Sequence, residues 1–237
     1  MEIAIAEILS DVPTIIGTWS LEGDSYNQIS EVFSCGDLLA FSFDQREMTQ
    51  VETFGVEGWS TNSVRSWLQI LDLADPAAPM PWAPVQIPGQ LISMAEWTRA
   101  GATIFTRSGD RVAALGFNGE TASVVAEANA GFAQHMIGST LYAAFSDGIS
   151  KRQFSSINGA WEPATAWILN QGSAIHSLRE VKGRLVAVSQ NQAWIVGSDD
   201  NFVGYDIVGS ANFSHADLSG DSWLVPAGEY GPILLEP

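Results

Sequence analysis

Six ionisable side chains stand at comparable places along this chain: Glu31, Glu96, His135, His176, and His215 with Asp217. Each precedes a recurring apolar run, with offsets of 7, 7, 6, 9 and 8 residues for Glu31, Glu96, His135, His176 and His215. All 3 histidines of the chain belong to the set. Gathered around one axis, imidazoles and carboxylates of this kind would hold a divalent metal, with His135, His176, His215, Glu31 and Glu96 as candidate ligands. A second chemistry uses the carboxylates alone. Glycosidic cleavage needs two carboxyl groups at a defined separation, and Glu31, Glu96 and Asp217 are the candidates by position. A third reading gives the set no chemistry: polar groups that line a channel and are solvated by trapped water, or that point between sheets to a hydrogen-bond partner. No phosphate loop, His-Glu-x-x-His, nucleophile elbow or paired-cysteine motif accompanies them.

The segments that must position these groups repeat. Apolar runs start at Leu38, Thr103, Leu141, Leu185 and Trp223, so successive starts lie 65, 38, 44 and 38 residues apart. Three of those intervals sit near the period of about 40 residues expected for four-stranded propeller blades. Strand order can be read around the anchors. In the second unit strands are expected over residues 91–97, 102–106, 111–117 and 121–126, and in the fourth over 174–181, 185–189, 193–196 and 202–207. The turns between them hold Ser108-Gly109-Asp110, Asn118-Gly119-Glu120 and Lys182-Gly183-Arg184, and Asn-Gly suits a tight hairpin because both residues tolerate positive φ. Helical periodicity is almost absent, so the fold expected is all-β.

Radial repetition explains why such a chain would fold, since each blade has an apolar face that only its neighbour can cover. Trp19, Trp67, Trp82, Trp97, Trp161, Trp167, Trp194 and Trp223 fall in or beside the strands. Large rings between sheets suit that role better than a sugar-binding platform does. The expectation is therefore one β-propeller domain over residues 1–237, with five four-stranded blades. The last unit offers strands at 213–218, 223–225 and 233–235 but no outer strand; residues 14–19 would supply it and close the ring, leaving 3–8 as a surplus strand. The alternative is a fragment of a larger propeller.

Composition narrows the partners. The 237 residues carry 27 acidic and 10 basic side chains, a formal charge of −17, and are 46% hydrophobic. Such an acid excess repels nucleic acid. No stretch approaches the roughly 20 apolar residues needed to span a membrane as a helix. Cys35 is the only cysteine, so an intrachain disulfide is excluded, and its strand-like setting reads as a buried inert thiol. The start, Met1-Glu2-Ile3-Ala4-Ile5-Ala6-Glu7, lacks the basic region of a signal peptide. Either the chain is cytoplasmic, or it is a piece of a longer exported precursor.

One stretch carries a family likeness. Trp67-Leu68-Gln69-Ile70-Leu71-Asp72-Leu73-Ala74-Asp75-Pro76-Ala77-Ala78-Pro79 resembles the LVIVD-type repeat of bacterial and archaeal secreted or cell-surface proteins. In that repeat an apolar strand runs into an aspartate, then Asp-Pro-x-x-Pro, then an outer strand, here Pro84-Val85-Gln86-Ile87. The C-terminal Ala227-Gly228-Glu229-Tyr230-Gly231-Pro232-Ile233-Leu234-Leu235 is similar to the family's turn and third strand, with Pro232 a departure. Residues 3–19 read as a degraded copy, and the middle units match only in spacing. The resemblance implies a β-propeller in an exported bacterial protein, secreted or at the cell surface, with no single activity attached. Physically, the aspartate caps a turn while the prolines pre-set φ and block extra pairing at an edge.

Residues 44–66 form an insertion that lengthens the hairpin between the second and third strands of the first blade. Phe54, Val56 and Trp59 lie near its tip and are the candidate binding residues, because protruding apolar groups mark contact with a partner or neighbouring domain. Otherwise the hairpin folds back over its own blade. The function expected is a non-catalytic binding or scaffolding module whose partner is a protein, a neighbouring domain or a carbohydrate. No cofactor is expected beyond the channel metal weighed above.

Overall fold

The computed structural model describes residues 2–9, 12–20, 26–53, 56–146, 148–169, 174–196, 201–207, 211–219 and 222–236. Among them the regular elements are strands in antiparallel sheets, with two short 3-10 turns. The chain is all-β. It divides into two compact units, Met1–Glu127 and Ala128–Pro237.

In the first unit, β1 (Glu2–Leu9) and β2 (Val12–Ser20) pair with each other as a sheet of two. The next sheet holds β3 (Tyr26–Ile29), β4 (Phe33–Cys35), β5 (Leu38–Thr53), β6 (Val56–Asp72), β7 (Met80–Pro81) and β8 (Val85–Ile87). A four-stranded sheet follows: β9 (Gln90–Thr98), β10 (Gly101–Ser108), β11 (Arg111–Phe117) and β12 (Ala122–Asn129), laid side by side in chain order.

Strand parity explains how these sheets stack, because successive side chains point to opposite faces. Along β5, Leu38 and Ala40 face one way, joining Leu68 and Ile70 of β6 against Leu91, Ile104, Ala113, Leu115 and Phe117 of the following sheet. The intervening Phe41 and Phe43 face the other way with Leu71, where Ile3 and Trp19 of β1 and β2 pack on them. Trp19 meets Phe41 edge to face at 5.7 Å between ring centres. The middle sheet is thus dry on both faces, which is why its strands read as continuous apolar runs rather than alternating ones.

The second unit repeats the pattern. One sheet holds β13 (Ala133–Ile137), β14 (Thr140–Ala144), β15 (Gly148–Ser155), β16 (Ala160–Trp161) and β17 (Thr165–Ile168). The next holds β18 (Ser177–Val181), β19 (Arg184–Val188), β20 (Gln192–Val196) and β21 (Phe202–Asp206) in order, and the last β22 (Asp217–Ser219), β23 (Ser222–Pro226) and β24 (Pro232–Leu235). On β19, Leu185 and Ala187 pack with Trp194 toward Ala133, Ala144 and Ile149. Val186 and Val188 pack with Ala193 and Ile195 toward Phe213, Trp223 and Val225. Each fully buried large apolar side chain here contributes about 1.5–3 kcal/mol relative to an exposed one.

Three expectations are corrected. Residues 213–218 are not one strand: a 3-10 turn covers Phe213–His215, and β22 begins only at Asp217. Residues 14–19 take β1 as their partner, so the strand read as surplus is the other arm of a hairpin. Cys35 is exposed, its thiol donating to the Trp97 carbonyl at 3.4 Å, because it ends a short strand at the rim of its sheet.

Candidate functional site

The long hairpin is present. β5 and β6 pair from Leu38–Asp72 to Thr53–Val56, with a bulge between Glu47 and Met48. β3 and β4 reach only as far as Gln45 on β5, and β8 reaches only to Ser66 on β6. Beyond those points, residues 46–53 and 56–65 pair only with each other among the described residues. At ~3.3 Å per residue the ribbon runs on for about 25 Å. Glu47 ties its two strands, accepting from the Ser63 hydroxyl at 2.9 Å and meeting Arg65 at 3.1 Å. Met48 and Val64 are about half exposed on it, at 46% and 52%. Of the candidate binding residues, Val56 pairs with Thr53 and Trp59 with Gln50 across the ribbon; Phe54 lies outside the described residues.

At the ribbon's root, Asp44 is buried and accepts from the Ser66 hydroxyl at 2.7 Å and the Gln90 amide at 3.3 Å. Beside it the Ser42 hydroxyl accepts the Leu91 N–H at 2.8 Å. This polar layer pins β5 and β6 to β9 where the free ribbon starts.

The six ionisable residues sit on or beside the first strand of their sheets, yet they do not share an environment. Glu31 is exposed in the link between β3 and β4. Glu96 is exposed on β9, at a φ of 52° where the pairing with β10 slips by a residue. His135 on β13 has its Nε2 4.0 Å from Glu180 of β18, so this pair bridges the first strands of two successive sheets. His176 precedes β18 and extends its ladder by donating its N–H to the Val188 carbonyl at 3.0 Å. His215 is exposed on the 3-10 turn.

Asp217 accepts the Leu218 N–H at 2.9 Å and pairs with Lys182 at 3.4 Å. The backbone N–H first, and then Lys182, hold its carboxyl below the usual aspartate range. That direction suits a carboxylate kept charged and disfavours a proton donor. Among the described residues no group of three His, Cys, Asp or Glu side chains is placed to hold a metal.

The aspartates of the Asp-Pro-x-x-Pro stretch have structural roles. Asp72 accepts the Ala74 N–H at 3.0 Å and Asp75 the Ala77 N–H at 3.1 Å, each capping its own turn. Arg99, from the turn between β9 and β10, grips Asp72 and Asp37 together and so clips two successive sheets. Its hydrogen bonds, ahead of the Ala74 N–H, pull the Asp72 carboxyl below its ordinary range.

One feature has almost no local signature in the sequence. His176, Ser177 and Arg179 line a cavity of about 390 Å³ with Val188, Ala211, Asn212 and Phe213. Parity alone hints at it: Ser177 and Arg179 stand two apart on one face of β18.

Geometry therefore defines an all-β chain of antiparallel sheets, packed face to face in chain order within each unit, with an overlong ribbon and a cavity beside β18. No family model matches the chain, and no curated protein matches it. Among solved structures it is similar to apo AztD from Citrobacter koseri, at 11% identity and a TM-score of 0.41, over 90% of this chain and 70% of that one. A second structure of Citrobacter koseri AztD gives 10% identity and a TM-score of 0.41, over 91% of this chain and 70% of that one. At these values the likeness carries no argument about fold or function. No helix among the described residues is long and apolar enough to cross a membrane.

Proposed function

We propose that the chain is a five-bladed β-propeller. In this reading it acts as a non-catalytic binding or scaffolding module of an exported bacterial protein, of the kind carrying LVIVD-type repeats. The stacking of successive sheets within each unit supports the propeller, because radial repetition needs sheets that are dry on both faces. Turn capping by Asp72 and Asp75 supports the repeat type.

The observation that carries the binding role is the ribbon of β5 and β6. A two-stranded ribbon alone in water is at best marginally stable, and its outer edges expose backbone donors and acceptors that invite another strand. A protein partner or neighbouring domain that adds a strand there would satisfy those groups and cover Met48 and Val64. The test is deletion of residues 48–63 with a two-residue turn in their place. Used as bait against an extract of the producing cells, the full chain should retain a defined partner that the shortened chain loses, with Tm within about 2 °C of the parent. Undiminished capture by the shortened chain would rule the ribbon out as the contact surface.

A further inference from the structure

β18 deals its side chains to two neighbours. Leu178 and Glu180 face β13, where Glu180 meets His135 at 4.0 Å. Ser177, Arg179 and Val181 face the opposite way, the side on which Val186 and Val188 pack toward Phe213. In front of that face runs the segment Ala211, Asn212 and Phe213 leading into the 3-10 turn, and the cavity of about 390 Å³ lies between. Its volume falls within the ordinary range for small-molecule sites, about 300–1,000 Å³.

The charge of the lining is what sets this cavity apart. The chain has 27 acidic side chains against 10 basic ones, yet among the described residues the lining includes no carboxylate and does include Arg179 and His176. Arg179 is half-buried, and among the described residues its guanidinium reaches only the Ser177 hydroxyl, at 3.4 Å from Nε and 3.2 Å from Nη2. No carboxylate lies within ion-pair distance of it among the described residues. A guanidinium withdrawn from water without a counter-charge is costly, and its planar fork matches the two oxygens of a carboxylate. Val188, the cross-strand partner of Ser177, and Phe213 are buried apolar walls beside the polar groups.

We infer that this cavity binds a small organic carboxylate, its two oxygens on the Arg179 fork and its apolar body against Val188 and Phe213. Ser177 steadies the guanidinium, and the His176 imidazole offers a further donor at the polar end. A cation is the wrong partner for such a lining. Inorganic phosphate lacks the apolar body that Val188 and Phe213 would cover. The site is separate from the ribbon, so the failure of either reading leaves the other standing.

Calorimetric titration of the full chain with 3-phenylpropanoate, 3-phenylpropanamide and inorganic phosphate tests this. The carboxylate should bind with a Kd on the order of 1 mM or tighter, and at least about 10-fold more tightly than the amide or phosphate. Arg179→Gln should weaken it by about 10-fold or more and Arg179→Lys by less. Arg107→Gln, at an exposed site on β10, should leave it unchanged. Should Arg179→Gln fail to fold, amide shifts of the unaltered protein locate the site, with perturbations expected at 176–179 and 211–213. Equal binding of acid and amide, tighter binding of phosphate, binding that survives Arg179→Gln, shifts elsewhere, or no binding of 3-phenylpropanoate at 10 times the expected Kd would each overturn the assignment.

Discussion

Glu96 occupies a backbone position that favours glycine. Its φ of 52° falls where β9 bulges against β10, so that two residues of one strand face one of the other. Glycine is the usual occupant of the left-handed position in such a bulge, and another residue there costs about 1–2 kcal/mol. Glu96→Gly removes the strain but loosens the unfolded chain, which takes back part of the gain. A net stabilisation of about 0.5–1 kcal/mol is expected, read as a higher urea midpoint; a lower midpoint would mean that the side chain itself holds the bulge. Asp72 makes the complementary case for pH. Arg99 lowers its folded-state pKa, so the stability it contributes is present above the unfolded value of 3.8 and is lost as pH falls through the folded value. Urea midpoints taken from pH 6 down to pH 2.5 should therefore fall more steeply below pH 4 in the parent than in Asp72→Asn. Parallel curves would remove Asp72 from the acid response.

At the scale of the element, turn chemistry made the strands legible. Asn118 accepts from the Glu120 and Thr121 N–H groups, and Gly119 takes a φ of 93°, so the hairpin between β11 and β12 forms where Asn-Gly stands. Lys182 and Gly183 both have positive φ, which marks the tight turn between β18 and β19. The stretch around His215 misled because Phe213, Ala216 and Leu218 give it the look of a short apolar run. The 3-10 turn instead brings Phe213 and Ala216, three apart, to one side against Trp223 and Val225. The cavity was illegible for a different reason. It exists only because Ala211–Phe213 returns to the face of β18 from more than 30 residues away, and no local pattern records such a return. The ribbon was legible as an insertion, and its independence from the core fixes the energetic expectation for its loss. Among the described residues, deleting 48–63 removes none of the buried apolar side chains of β5 and β6, so the stability should hardly change.

For the molecule as a whole, charge sets the response to salt. A formal charge of −17 on 237 residues opposes the compact state through self-repulsion. The ion pairs that salt would weaken, Arg65–Glu47 and Arg111–Glu127 among them, are exposed and contribute little. Repulsion therefore outweighs them. Raising sodium chloride from about 10 mM to about 200 mM, which shortens the screening length from about 30 Å to below 10 Å, should raise Tm; a fall would mean that the ion pairs dominate instead.

The double-sided burial of the middle sheets has a consequence for how each unit comes apart. Pulling out the layer that holds β5 and β6 wets two seams of its unit at once. The same holds for the layer that holds β19 and β20. Opening is accordingly costly at these layers, so residues 38–43, 67–71, 185–188 and 193–195 are among the last to surrender their backbone protons to solvent in their respective halves of the chain.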